Sequence, residues 1–149
     1  MIVNFRRYVS QIHLPTLMFL SWLTIGHIVI HWYANILFLV LPFIKTDLDL
    51  SNVQVGTITT ASVGATGLLT LFSGYVADSF RKQVPLILAV AILTFGLAYL
   101  VIGTFPTYPA VLTAAGLTAL GSALWHPAAI GSLSLHFPNR RGMALSVHG

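Results

Sequence analysis

The fold class predicted is all-α integral membrane, on three observations. Apolar residues make up 56% of the 149-residue chain and charged residues 7%, too little polar surface to solvate a water-soluble domain of this size. The apolar residues gather in four runs, each about 20 residues or longer, the length a helix needs to cross about 30 Å of hydrocarbon. The few charges lie almost entirely in the short segments between those runs. Barrel strands would instead show short segments of alternating polarity, and hydrocarbon admits no third way of pairing the backbone.

The spans are expected at residues 16–44, 53–76, 84–105 and 108–135. The first is longer than a crossing requires, which permits tilt. Along it Ser21, Thr24, His27, His31 and Asn35 recur at spacings of three, three, four and four, which places them on one helical face. Pro42 stands near its exit, where a missing N–H does little harm. The second span carries Gly56, Thr57, Thr60, Ala61, Gly64, Ala65 and Gly67, small side chains of the kind that let helices approach closely. Residues 74–82 are read as a loop to the third span, with Asp78 near Arg81 and Lys82. As a surface pair this is worth little; as a functional element the carboxylate can cap a helix N-terminus or pair with a neighbour in one state only. Pro85 opens the third span, and Pro106 and Pro109 frame the turn into the fourth. There Ala115, Ala119 and Ala123 repeat the small-residue spacing, Ser122 and His126 lie four apart, and Pro127 should free the carbonyl of Ala123 and bend the helix. Beyond Arg140 and Arg141 a fifth apolar segment begins at Met143, so residues 1–149 read as an incomplete unit.

Arg6, Arg7, Arg81, Lys82, Arg140 and Arg141 fall on one side of this layout and Lys45 alone on the other. Basic residues are retained on the cytoplasmic side, so the N-terminus is expected there, in a multi-pass protein of the plasma membrane. The net charge of +4 then reflects topology and anionic lipid. Nucleic acid is not an expected partner, because no basic patch carries interleaved aromatics. The first apolar run is too long for a secretory signal. With no cysteine, disulfides and thiolate metal sites are excluded.

Three histidines inside two of the four spans support two readings. In one, spans one and four line a polar cavity in which His27, His31, Asn35, Ser122 and His126 meet a solute or protons. In the other, each imidazole is neutral, satisfied by a carbonyl or hydroxyl, and serves helix association. His27 and His31 also form a His-x-x-x-His pair able to face one metal ion. No acidic residue or further histidine stands near them in sequence, so neither a metal nor any other cofactor is expected.

Residues 74–82, Gly-Tyr-Val-Ala-Asp-Ser-Phe-Arg-Lys, resemble the loop between the second and third helices of the major facilitator superfamily, Gly-x-Leu-Ala-Asp-Arg-x-Gly-Arg-Arg. Gly74, Ala77 and Asp78 match in place, Lys82 falls on a basic position, and Ser79 and Arg81 depart from the pattern. Gly26-His27, residues 39–42 and Val55-Gly56 resemble the first helix and following loop of the fosmidomycin-resistance-type branch. Residues 121–129, Gly-Ser-Ala-Leu-Trp-His-Pro-Ala-Ala, and then Arg140-Arg141-Gly142 resemble its fourth helix and next loop. His31 stands where that branch commonly carries an acid. The resemblance implies a twelve-helix fold of which this chain is the incomplete N-terminal half, with helices one and four lining the central cavity. It implies a secondary transporter, not an enzyme, moving a small organic solute outward by alternating access, with protons as a candidate coupling ion. Gly74, Asp78, Arg81 and Lys82 would form a gating loop, and the missing C-terminal helices, or a second chain, would complete the cavity. The rival reading is a truncated membrane interaction or scaffold protein that associates through its small-residue faces.

The topology is directly testable. Reporter fusions after Arg7, Arg81 and Arg141 should read cytoplasmic and fusions near Lys45 or Pro106 external; a cytoplasmic signal at Lys45 contradicts the four-span arrangement.

Overall fold

The computed structural model describes residues 13–149, and every regular element among them is helical. Helix α1 spans Leu14–Asp47, α2 Asn52–Ser79, α3 Val84–Thr104, α4 Tyr108–His136 and α5 Arg141–His148. The first four are long and apolar enough to cross a membrane. Helices α1, α2 and α4 run slightly past their expected ends, α3 stops one residue short at Thr104, and α5 begins two residues before Met143. Leu39, Phe43, Leu71, Phe72, Leu93 and Leu100 point outward and are exposed. That is the inverse of a water-soluble surface and suits side chains meeting lipid.

Helix α4 is the centre of the bundle and packs on all four others, most extensively on α2 and α3. Its buried surface is built from small residues: Ala114, Ala115, Ala119, Ala123, Ala128 and Ala129 are all 0–1% exposed. Lipid tails are as apolar as leucine, so helices gain little here from burying hydrocarbon as such. Close van der Waals contact decides, and small side chains permit it. Two glycines make the approach closest. A Cβ on Gly121 would stand 2.6 Å from Phe95 Cε2 and 2.7 Å from the Ala91 carbonyl, and one on Gly26 would overlap the indole of Trp125. Trp125 is itself 2% exposed and joins Leu20, Leu23, Ile30, Phe95 and Leu133 in one core cluster. A second cluster at the opposite end joins Leu37, Leu41, Leu50, Ile58, Val111 and Ala115.

The α1–α2 connection is tightly specified. Asp49 adopts φ 50°, Ser51 caps α2 by accepting from the Gln54 N–H at 3.2 Å, and the Gln54 side chain accepts from the Ser51 N–H at 2.9 Å. This reciprocal box satisfies two donors that a helix start leaves open. Lys45 Nζ donates across the turn to Asn52 Oδ1 at 2.7 Å. At the other end of the bundle Arg81, Lys82 and His136 border a shared cleft, and His136 and Arg140 border a second. The described basic residues therefore separate between the two ends as the sequence layout requires. Arg6 and Arg7 lie outside the described residues.

Three expectations are corrected. Pro42 is not at a boundary: α1 continues to Asp47, and Thr46 Oγ1 donates to the Pro42 carbonyl at 3.1 Å. Residues 74–82 are not a loop throughout. Gly74 and Asp78 belong to the last turns of α2, and Phe80 with a 3₁₀ turn, Arg81–Gln83, makes the whole connection. The small residues of α2 are not packed throughout either. Gly56, Thr57, Thr60 and Gly64 are exposed, and Ala61 and Ala65 only half-buried, along an open groove beside Gly116, and Gly67 is exposed beyond it. Nothing lies within 4 Å of a Cβ on Gly56, Gly64 or Gly67.

Two glycines with opposite surroundings give a stability test. Gly121→Ala should cost about 1–3 kcal/mol, because the new methyl meets the Ala91 backbone, which cannot rotate away. Gly64→Ala should be neutral or stabilise by up to about 1 kcal/mol through reduced backbone entropy. Thermal unfolding of the full-length protein in detergent reads both, and equal melting temperatures for the two variants would contradict the close α3–α4 approach.

Candidate functional site

The polar face of α1 meets α4 and α5 at a cluster of imidazoles. His27 and His31 lie one turn apart on α1, and His126 reaches them from α4, 95 positions from His31. His31 Nε2 stands 2.8 Å from His27 Nε2 and 3.4 Å from His126 Nε2. One ring nitrogen from each of the three lies within 4.8 Å of the others. His27 and His126 are half-buried and His31 is exposed. The rings meet edge to face, with centroids 4.4 Å apart for His27 and His31 and 5.4 Å for His31 and His126.

Backbone carbonyls fix the tautomers of two rings. His27 Nδ1 is 2.8 Å from the His148 carbonyl, and His126 Nδ1 is 2.6 Å from the Ser122 carbonyl. A carbonyl only accepts, so in a neutral ring each Nδ1 carries the hydrogen and each Nε2 keeps a lone pair aimed at the cluster. His31 Nε2 then supplies the hydrogen shared with His27. The ring of His148 stacks on His27 at 4.4 Å and is 6% exposed, and neither of its nitrogens has a hydrogen-bond partner among the described residues.

Of the residues expected at this site, His27, His31 and His126 come together, and Ser122 takes part through its carbonyl. Asn35 does not reach the cluster: its Nδ2 donates to the His31 carbonyl at 2.7 Å, within its own helix. Pro127 follows His126 inside α4, which continues unbroken to His136. Gly74, Asp78, Arg81 and Lys82 lie elsewhere, where α2 meets α3. Asp78 caps nothing, since the start of α3 has no side-chain cap; it pairs with Arg81 at 3.1 Å, both side chains largely exposed. Asp78, Arg81 and Lys82 border a cleft of about 340 Å³ that Phe19, Pro127 and His136 also line. His148 was missed from sequence because α5 is too short for its faces to be distinguished there. Trp125, which seats α4 against Gly26, reads in sequence as one more apolar residue.

The sequence model of the Major Facilitator Superfamily matches residues 23–149, which takes in the histidine cluster, the Asp78 segment and all of α2 to α5. The chain belongs to the Major Facilitator Superfamily. Among curated members, the Puromycin resistance protein pur8 of Streptomyces alboniger is 37% identical over 111 residues, 73% of this chain and 22% of that protein. The Fosmidomycin resistance protein of Escherichia coli (strain K12) is 25% identical over 128 residues, 86% of this chain and 31% of that protein. The uncharacterized MFS-type transporter YcnB of Bacillus subtilis (strain 168) is 29% identical over 117 residues, 77% of this chain and 24% of that protein. The chain thus spans 22–31% of the length of these facilitator relatives. No solved structure matches it. As a facilitator family member it is a multi-pass membrane protein, and four of its described helices are long and apolar enough to cross the bilayer.

Water access to the cluster is measurable in the full-length facilitator. Cysteines replacing His27, His31 or His126 should react with small hydrophilic thiol reagents faster than one replacing Leu88, which packs against the core on α3. Equal, slow labelling at all four positions would leave the histidines a packing role only.

Proposed function

We propose that residues 1–149 supply the first four helices and the start of the fifth to a secondary transporter that carries a small organic solute out of the cell by alternating access. The observation that carries this reading is the convergence of His27, His31 and His126 from α1 and α4 on one half-open site. Ionisable side chains at membrane depth are costly in lipid, and are retained where they face a cavity or a pathway. The resemblance of the chain to the twelve-helix facilitator pattern assigns the same two helices to the central cavity. Two relatives are named for resistance to puromycin and to fosmidomycin. Export of a toxic solute is a direct route to resistance, and favours the outward direction.

In this reading the imidazoles give the solute neutral, reorientable hydrogen-bond partners and a place for protons in a coupled cycle. Asp78, Arg81 and Lys82 belong to a gate on the cytoplasmic side of the plasma membrane, where the N-terminus also lies. The Asp78–Arg81 pair is exposed and at i, i+3 spacing, so it adds little stability and can exchange partners between transport states. The remaining helices of the transporter complete the cavity. No bond in the solute is made or broken.

Expression of the full-length protein in a susceptible bacterium tests the reading, with puromycin and fosmidomycin as probes. Cells carrying the wild type should accumulate several-fold less of at least one probe than cells carrying His126→Gln, and Asp78→Asn should slow export with normal membrane expression. Equal accumulation of both probes in wild-type, variant and empty cells would reject export of these solutes.

A further inference from the structure

From the orientation of the three rings we infer that His27, His31 and His126 form a binding site for a divalent transition-metal cation of the zinc class inside the cavity. The inference rests on the cavity proposed above. Two of the three donors are already prepared. The His148 and Ser122 carbonyls hold the Nδ1–H of His27 and His126, so both Nε2 lone pairs point at the cluster. An outer hydrogen bond on the far nitrogen is the arrangement that orients a metal-binding imidazole and raises its basicity. His31 need only carry its hydrogen on Nδ1 instead of Nε2 to present the third lone pair, a change of tautomer with no change of charge.

The spacing agrees. With metal–nitrogen bonds of about 2.0–2.1 Å, two ligands of a tetrahedral ion stand about 3.4 Å apart. The His31–His126 pair is at 3.4 Å, the His31–His27 pair at 2.8 Å, and no separation among the three donors exceeds 4.8 Å. Small side-chain rotations that keep the two Nδ1–H bonds would bring all three to bonding distance. Three neutral nitrogen donors with no carboxylate favour zinc, nickel or cobalt over magnesium or calcium, which require oxygen. His31 is exposed, so the fourth position opens into the cavity. A cation held by three neutral rings keeps its full double charge and can accept an anionic group there. The His-x-x-x-His pair on α1 is an incomplete site when read in sequence; the third ligand arrives from α4.

The test is binding of zinc alone to the full-length protein, purified in detergent, stripped with chelator and freed of affinity-tag histidines. Titration calorimetry should find one zinc per chain, undiminished by millimolar magnesium. His31→Gln and His126→Gln should each weaken binding by more than the roughly 10–100-fold typical of losing an outer partner. His136→Gln, which alters a histidine outside the cluster, should bind as the wild type does. Cobalt in place of zinc should give the intense visible bands of a four-coordinate ion in the wild type, and lose them in His126→Gln. Absence of stoichiometric zinc from the wild type, or unchanged affinity in both cluster variants, overturns the inference. Binding is read without transport, and probe export measured in chelator reports on the transporter separately, so either can fail alone.

Discussion

How near the other helices can come to α4 governs this molecule. In lipid the energy of association comes from contact, not from removing hydrocarbon from water. The alanines of α4, with Gly121 against Phe95 and Gly26 under Trp125, set the distances at which α1 and α3 settle. Those distances then decide what lies beside what on the polar side. His126 meets His31 because the turn before it, ending in Trp125, is seated on Gly26, one residue from His27. A larger side chain at Gly26 would push α1 and α4 apart and separate the imidazoles without touching them.

Most hydroxyls in the spans turn out to be self-contained. Ser21, Thr57, Thr59, Thr66, Thr70, Thr104 and Thr113 each donate to the carbonyl four residues earlier in their own helix. Such bonds let a polar residue sit at membrane depth without a partner on another helix. Against that background several inter-helix polar contacts stand out, among them the histidine cluster, the bond from His27 to the His148 carbonyl on α5, and the phenol of Tyr99 donating to the Tyr33 carbonyl. Polarity within a span is therefore a weaker guide to a site than polarity that crosses between spans.

The spans were legible because hydropathy over about 20 residues is a strong, local signal. The polar face of α1 was legible from spacing, and it correctly put His27 and His31 on one side. Asn35 shared that face yet bonds to its own backbone, since periodicity places a side chain on a face but not at a depth. The glycines of α2 show a related limit: Gly56, Gly64 and Gly67 meet nothing among the described residues. Small residues permit close packing, but which of them meets a neighbour depends on helix rotation about its axis, which composition does not encode. The connection at residues 74–82 was read as a loop because its polar residues interrupt the hydropathy, whereas α2 keeps its backbone ladder through Ser79. The Ser51–Gln54 capping box at the start of α2 went unread, because hydropathy alone placed that boundary. The meeting of His126 with the α1 pair follows only from the packing of distant segments.

Pro127 gives this arrangement a mechanical side. Lacking an N–H, it leaves the Ala123 carbonyl without its usual donor, one residue from the carbonyl that steadies the His126 ring. The ladder of α4 is thus weakest in the turn that carries its imidazole. Flexure of the helix would concentrate there, and the half beyond the proline would swing as a lever whose fulcrum is His126. In the proposed transporter, a molecule bridging His126 to α1 would stiffen that fulcrum and so couple occupancy of the cluster to the curvature of α4.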